Sequence, residues 1–200
     1  KKMETMVDFI SSNEEAYMAI NDCEMANFEM KRTGLSKINQ VVNHQGTIEG
    51  FIPGCCSVIN GDYKSLLFPF SETMSYDSWI SFIGINTNSR IVLKEILQLY
   101  RRYEDNTTNH PVNSLHKISI WTRYLESLNQ ILSSKRKFRK RNYNSDNLES
   151  AKELLIRIEQ LQEEMNKLDL KKNLLRMSKV LLKNITRYET ADKLLSDPSY

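Results

Sequence analysis

The chain predicts a mainly α protein with a minor β element: a helical body with a small β-hairpin region, followed by a long C-terminal coiled-coil-type helix. Three observations carry this. Apolar residues recur at three- and four-residue spacing over much of the chain. Residues 147–195 contain neither Gly nor Pro. Five of the six glycines, with two of the four prolines, fall between residues 46 and 84.

The elements follow in order. Residues 3–31 read as an amphipathic helix with Met3, Met6, Val7, Ile10, Tyr17, Met18, Ile20, Met25 and Phe28 as apolar positions. A capping-box pattern in Ser11–Glu15 divides it, and Gly34 stops it. In residues 46–70 the pair Asn60-Gly61 sits between apolar–polar stretches and predicts a hairpin turn, with an irregular loop as the alternative. A short helix over 72–85 ends near Gly84. Asn88 or Ser89 then caps a helix carrying Ile91, Val92, Leu93, Ile96, Leu97, Leu99 and Tyr100, closed by Pro111. The next helix, 113–133, has Leu115, Ile118, Trp121, Leu125, Leu128 and Leu132 on one stripe and should pair with it in antiparallel fashion.

Residues 1–133 therefore form the body, 134–146 a basic hinge, and 147–195 the projecting helix. In the hinge, six of the seven residues from Lys135 to Arg141 are cations: Lys135, Arg136, Lys137, Arg139, Lys140 and Arg141, with Phe138 between them. The formal net charge is +3, so without this block the chain is slightly acidic. The K/R-rich pattern suits an import receptor, and it suits phosphate equally, since each cation releases condensed counterions. An acidic protein surface or a solvated linker are further readings. "NYNSDN" (142–147) predicts a break after the block, which disfavours a basic helix continuous with a zipper.

In the terminal helix, Ala151, Leu154, Ile158, Leu161, Met165 and Leu168 alternate spacings of three and four, a heptad seam. A second register takes over with Leu174, Met177, Leu181 and Tyr188; the step from Leu168 to Leu174 is one residue short of a heptad and marks overwinding or a change of partner. Leu155, Leu170, Leu175 and Leu182 widen the stripe beyond what a two-stranded zipper needs. That predicts a three- or four-helix arrangement or another subunit's helices, with a leg folded back on the body as the alternative. The candidate protein-interaction residues are Leu154, Ile158, Leu161, Met165, Leu168, Leu174, Met177 and Leu181.

Chemistry is not legible. The sequence has no Walker loop, no G-x-S-x-G and no H-E-x-x-H. Cys55 and Cys56 with His44 imitate a Cys–His pair, but no orienting group accompanies them, and the cysteines read as small packing residues near a turn. Three cysteines make no disulfide framework and fit a reducing compartment. The three histidines do not cluster with the cysteines at zinc-ligand spacing. No apolar run approaches the roughly 18 residues of a membrane span. The sequons at Asn106 and Asn184 read as chance matches, and residues 1–15 lack the apolar core of a signal peptide.

The functional expectation is a non-catalytic structural or adaptor subunit of a multi-protein complex, docking through the C-terminal helix as a hetero-oligomer or homodimer. It has no cofactor and no membrane association, and resides in nucleus or cytoplasm, with the nucleus favoured by the basic block. The alternative is a nucleic-acid- or chromatin-associated factor using residues 135–141 on phosphate.

Overall fold

The computed structural model describes residues 1–45, 47–51, 53–103, 111–132 and 136–196. In chain order the elements are α1 (Lys2–Ser11), β1 (Met18–Ala26), β2 (Arg32–Ser36), α2 (Lys37–Gln45), β3 (Ser57–Ile59), α3 (Lys64–Leu67), α4 (Tyr76–Asn86), β4 (Arg90–Arg101), α5 (Ile120–Leu132), α6 (Arg136–Glu164) and α7 (Leu168–Ser196), with short 3-10 turns at Gly54–Cys56, Gly61–Tyr63 and Pro111–Asn113. The protein is mainly helical with a small mixed sheet. Two compact units are woven from non-consecutive segments: residues 1–14, 19–58 and 91–131 form one, and residues 15–18, 59–90 and 132–200 the other.

The first unit holds the sheet. Its centre is β1, buried along its whole length. β2 pairs with it antiparallel, Glu24 opposite Ser36 and Ala26 opposite Arg32, with an irregularity between. β3 and β4 also pair with β1. The Arg102 N–H donates to the Ala26 carbonyl at 2.8 Å, and the Tyr17 N–H to the Ser89 carbonyl at 2.8 Å. Positions on both strands rise together, so β1 and β4 run parallel.

This overturns the expected helix over residues 3–31. Helix α1 stops at Ser11, and the following apolar run is a central strand. Asn21, Asp22 and Glu24 disguise it, because short polar and acidic residues are poor strand formers. Each is buried, and the carboxylates are satisfied where they sit. Asp22 Oδ1 accepts the N–H groups of Cys23 (2.7 Å) and Ile38 (3.0 Å), while Oδ2 takes the Ser36 hydroxyl. Glu24 accepts Arg32 Nε at 2.8 Å and the Gly34 N–H at 2.8 Å. Those bonds, Arg32 first and the Gly34 N–H second, hold the Glu24 carboxyl below its usual range. Gly34 is needed here as a left-handed residue within β2 (φ 73°), not as a helix stop.

The hairpin lies at residues 27–31, not at 60–61. Asn27 Oδ1 accepts the Lys31 N–H at 2.8 Å, and Met30 takes a left-handed φ of 65°. Asn60 instead has φ −68°, and its side chain caps the Asp62 N–H at 3.1 Å, opening a 3-10 turn. The expectation that β structure is confined to residues 46–70 fails with it.

The helix expected after Asn88 is strand β4. Asn88 (φ 50°) and Ser89 terminate the preceding helix rather than start a new one: the Ser89 N–H donates to the Gly84 carbonyl at 2.9 Å. β-branched Ile91, Val92 and Ile96 suit the strand, and the charged pair Lys94–Glu95 lies exposed in its middle, as edge strands require. The expected antiparallel helix pair over 88–133 is therefore absent. Helix α5 begins only at Ile120; Trp121 and Leu125 are exposed and Leu128 half-buried, while Ile118, ahead of the helix, is buried and Leu115 half-buried.

The second unit is helical. The short helix expected over 72–85 is α4, which runs through Gly84. A Cβ there would meet Arg90 Cβ and Met18 Sδ at 2.9 Å, so close approach explains that glycine. Trp79 is fully buried in α4, donating from Nε1 to the Leu67 carbonyl at 3.1 Å. The Arg157 guanidinium lies 5.1 Å from its ring centroid and donates to the Leu66 and Pro69 carbonyls at 3.3 and 2.5 Å.

The expected single helix over 147–195 is two. Residues 165–167 are non-helical, and α6 and α7 fold back on one another as a helical hairpin. No Gly or Pro forces the break. Glu163 and Glu164 at the negative C-terminal end of α6 disfavour its continuation, and Asp169 in the first turn of α7 favours a new start. The break falls just ahead of the register slip between Leu168 and Leu174. At the other end, the polar stretch 142–147 is helical, so α6 continues through the expected hinge from Arg136 onward.

Candidate interaction surface

The hairpin forms because the two heptad registers face each other. From α6, Ala151, Leu154, Ile158 and Leu161 are buried; from α7, Leu170, Leu174, Met177, Leu181 and Ile185. Six of the eight candidate interaction residues thus lie together inside this unit: Leu154, Ile158, Leu161, Leu174, Met177 and Leu181. Met165 is half-buried beside the break, and Leu168 is exposed. Fully burying a Leu or Ile contributes about 1.5–3 kcal/mol, so this seam is the main apolar term of the hairpin.

Polar bonds fix its ends. Asn144 Nδ2 donates to the Tyr188 carbonyl at 2.8 Å, and Lys152 pairs with Glu189 at 2.9 Å, which holds the Glu189 carboxyl below its usual range. Lys167 in the connection pairs with Asp62 at 3.3 Å. Asn184, one of the two sequon asparagines, donates to the Asn86 carbonyl at 3.0 Å, an engaged side chain on a helix. Asn106, the other, lies outside the described residues.

What the seam leaves outside is a second stripe. Leu168, Leu175 and Leu182, seven residues apart on α7, are 67%, 49% and 48% exposed. Lys171, Lys172 and Lys179 stand three or four residues from these leucines, on the same side of the helix, and are exposed. Lys172 shares an ion pair with Asp169 at 3.5 Å. Helix α7 carries seven Lys and Arg against three Asp and Glu. The stripe is an apolar track edged with positive charge. The seven-residue spacing was present in the sequence, but assigning Leu168 to the inner seam hid it.

Of the basic patch, Arg136, Lys137, Arg139, Lys140 and Arg141 belong to the first two turns of α6, with their side chains outside the description; Lys135 lies outside the described residues.

Two of the three thiols are buried. Cys23 and Cys56 are buried and Cys55 is exposed; Gln98 Nε2 donates to the Cys55 and Cys56 sulfurs at 3.4 and 3.0 Å. Its hydrogen bond to Cys56, then burial, pushes the Cys55 thiol up; that to Cys23, then burial, pushes Cys56 up to about 12. Thiols so held stay protonated near neutral pH and are poor nucleophiles. Among the described residues no three His, Cys, Asp or Glu side chains are grouped to hold a metal, and no helix is long and apolar enough to cross a membrane. No protein-family model, curated protein or solved structure matches the chain, so the surface has to be read from its own chemistry.

Proposed function

We propose that this chain is a non-catalytic adaptor subunit whose C-terminal hairpin docks an acidic amphipathic helix of a partner protein. The observation that carries the reading is the exposed track of Leu168, Leu175 and Leu182, edged by Lys171, Lys172 and Lys179. A helix laid along α7 buries the leucines in coiled-coil fashion, turning the hairpin into a three-helix arrangement. Its glutamates or aspartates meet the lysine edges, which sets orientation and speeds encounter. The same charge disfavours a homodimer through this stripe, because lysine would face lysine. The inner seam, Leu154 to Leu181, serves as the rigid platform.

The test uses a synthetic helical peptide with leucines at a and d and glutamates at e and g, titrated against the full chain. Light scattering of the chain alone should give a monomer. The peptide should bind, more weakly as salt rises, and Leu175→Asp with Leu182→Asp should remove binding while leaving the helical circular dichroism intact. A chain that dimerises through α7, or peptide binding indifferent to that double substitution, overturns the proposal.

A second reading, nucleic-acid association, is favoured by the continuity of α6 through residues 136–141. A basic segment on a helix suits phosphate contact, and binding there must weaken steeply with salt. Nuclear import through the same block accords with either reading. Replacing the six cations by neutral residues distinguishes these roles: nuclear enrichment falls if an import receptor reads them, and duplex DNA binding disappears if phosphate does.

A further inference from the structure

The sheet unit has an open pocket of about 640 Å³, within the size range of small-molecule sites. Three segments build it. The hairpin turn after β1 brings Phe28, and the end of β4 brings Arg102 and Tyr103. Asn113, Leu115 and His116 come from the stretch before α5. That stretch is anchored to α2 by the buried Gln40, which donates from Nε2 to the His116 and Ser114 carbonyls at 2.8 and 3.3 Å and accepts the Ile118 N–H at 3.3 Å. The Arg102 N–H bond to Ala26 fixes the opposite wall.

The charge in this wall is unusual. Arg102 and Lys37 are both buried, 8% and 6% exposed. Asn113 links Lys37 to the pocket, accepting its Nζ at Oδ1, and the Val112 carbonyl accepts it at 3.1 Å. Burial, with the Arg102 guanidinium adding to it, pulls the Lys37 ammonium down to about 8. Lys37 and Arg102 thus bring two cationic side chains to this wall. Beside them is a ring site. Phe28 and Tyr103 meet edge to face at 6.4 Å, with the Arg101 guanidinium 6.0 and 5.7 Å from their centroids. Phe28 is 66% exposed, a large apolar ring left at the mouth of the pocket. Glu29 stands at the rim, its carboxylate engaged by Asn27 Nδ2 at 2.7 Å.

We propose that this pocket binds a small organic anion carrying a planar ring, its oxyanion against Arg102 and its ring against Phe28 and Tyr103. Guanidinium matches the planar geometry of carboxylate and phosphate alike, and aromatic faces take a flat ring without hydrogen-bond readout. The anionic head can be either, and the test separates them.

Isothermal titration of the full chain with 2-naphthoate and with adenosine 5′-monophosphate is the experiment; 2-naphthylmethanol and adenosine are the neutral counterparts. At least one anion should bind, and at least about tenfold more tightly than its neutral counterpart, the scale of a charge-assisted contact. The one that binds assigns the head group. Arg102→Gln should weaken it by a similar factor. Should that buried substitution disturb the fold, Phe28→Ala, at an exposed position, must still weaken binding with the melting temperature unchanged. Saturable binding of neither anion, equal binding of the neutral compounds, or indifference to Phe28→Ala overturns the proposal.

Discussion

The two units are held together by different kinds of interior. In the sheet unit, buried positions include Asp22, Glu24, Lys37, Gln40 and Arg102 among the apolar side chains. In the helical unit, the facing surfaces of α6 and α7 are a run of Ala, Leu, Ile and Met, with polar bonds chiefly at the ends. An apolar seam tolerates imprecision, because burial is nearly non-directional. A polar interior specifies geometry, because every donor left over costs its desolvation. The first kind suits a platform and the second a pocket.

The largest effect should come from the seam. Ile158→Asp together with Leu161→Asp places two carboxylates where both residues are buried, at several kcal/mol each. The hairpin should open, and the helical circular dichroism should fall at room temperature. An unchanged melting curve would show that the helices are not held by this surface.

Next is Asp22→Ala in the sheet unit. It removes one acceptor from the Cys23 and Ile38 N–H groups and the Ser36 hydroxyl together. Stranded buried donors cost about 1–3 kcal/mol each, so with three of them we expect a loss of at least about 3 kcal/mol in urea unfolding. Leu181→Ala, a cavity in the seam, should cost a similar about 2–5 kcal/mol. The two should differ in rescue: Asp22→Asn recovers part of the loss by restoring an acceptor, whereas Leu181→Met recovers nearly all of it by restoring volume.

Legibility in the sequence follows the same division. The seam was visible because apolar periodicity is a direct record of burial, and Leu154, Ile158, Leu161, Leu174, Met177 and Leu181 fall where spacing places them. Its partner was not visible: one helix and two helices share a pattern, and the break at 165–167 rests on weak end effects of Glu163, Glu164 and Asp169. The sheet was hidden for the opposite reason. In β1 the polar residues Asn21, Asp22 and Glu24 interrupt the apolar run, and the two carboxylates find their partners outside the strand in residues 32–38. β4 has apolar residues enough for either period. The pocket left no local trace, since Phe28, Arg102 and His116 meet only through the sheet.

Lys37 allows a pH test of the polar interior. Its folded ionisation point, about 8, lies below its usual value near 10.5, so the folded state binds fewer protons through that window. The contribution of Lys37 is therefore most favourable above about 10.5 and is lost as pH falls through 8. Groups near it oppose this: burial raises Tyr100, and the Cys55 and Cys56 thiols are also raised, so unfolded chains lose those protons first and stability declines with pH. Comparison with Lys37→Met isolates the lysine. In urea unfolding between pH 8 and 10.5 the variant should lose stability more steeply than the wild type. Parallel curves would mean that Lys37 is not desolvated.

The smallest effect separates the platform from its outer track. Leu174 and Leu175 are neighbours on α7, yet one is 0% and the other 49% exposed. A turn of about 100° per residue places Leu174 in the seam and Leu175 beside Lys171, Lys172 and Lys179. Leu175→Ala removes little buried area and exchanges Leu for the best helix former, so stability should change by no more than about 0.5 kcal/mol. Its effect should appear in docking of the acidic helical peptide, where the same side chain becomes buried and its truncation should weaken binding by about tenfold or more. Leu174→Ala should lower the melting temperature markedly, because its cavity forms with or without the peptide. If Leu175→Ala destabilises the free chain as much as Leu174→Ala does, the leucine is already covered within the fold. The outer track would then be part of the interior, and α7 would offer no surface for a partner.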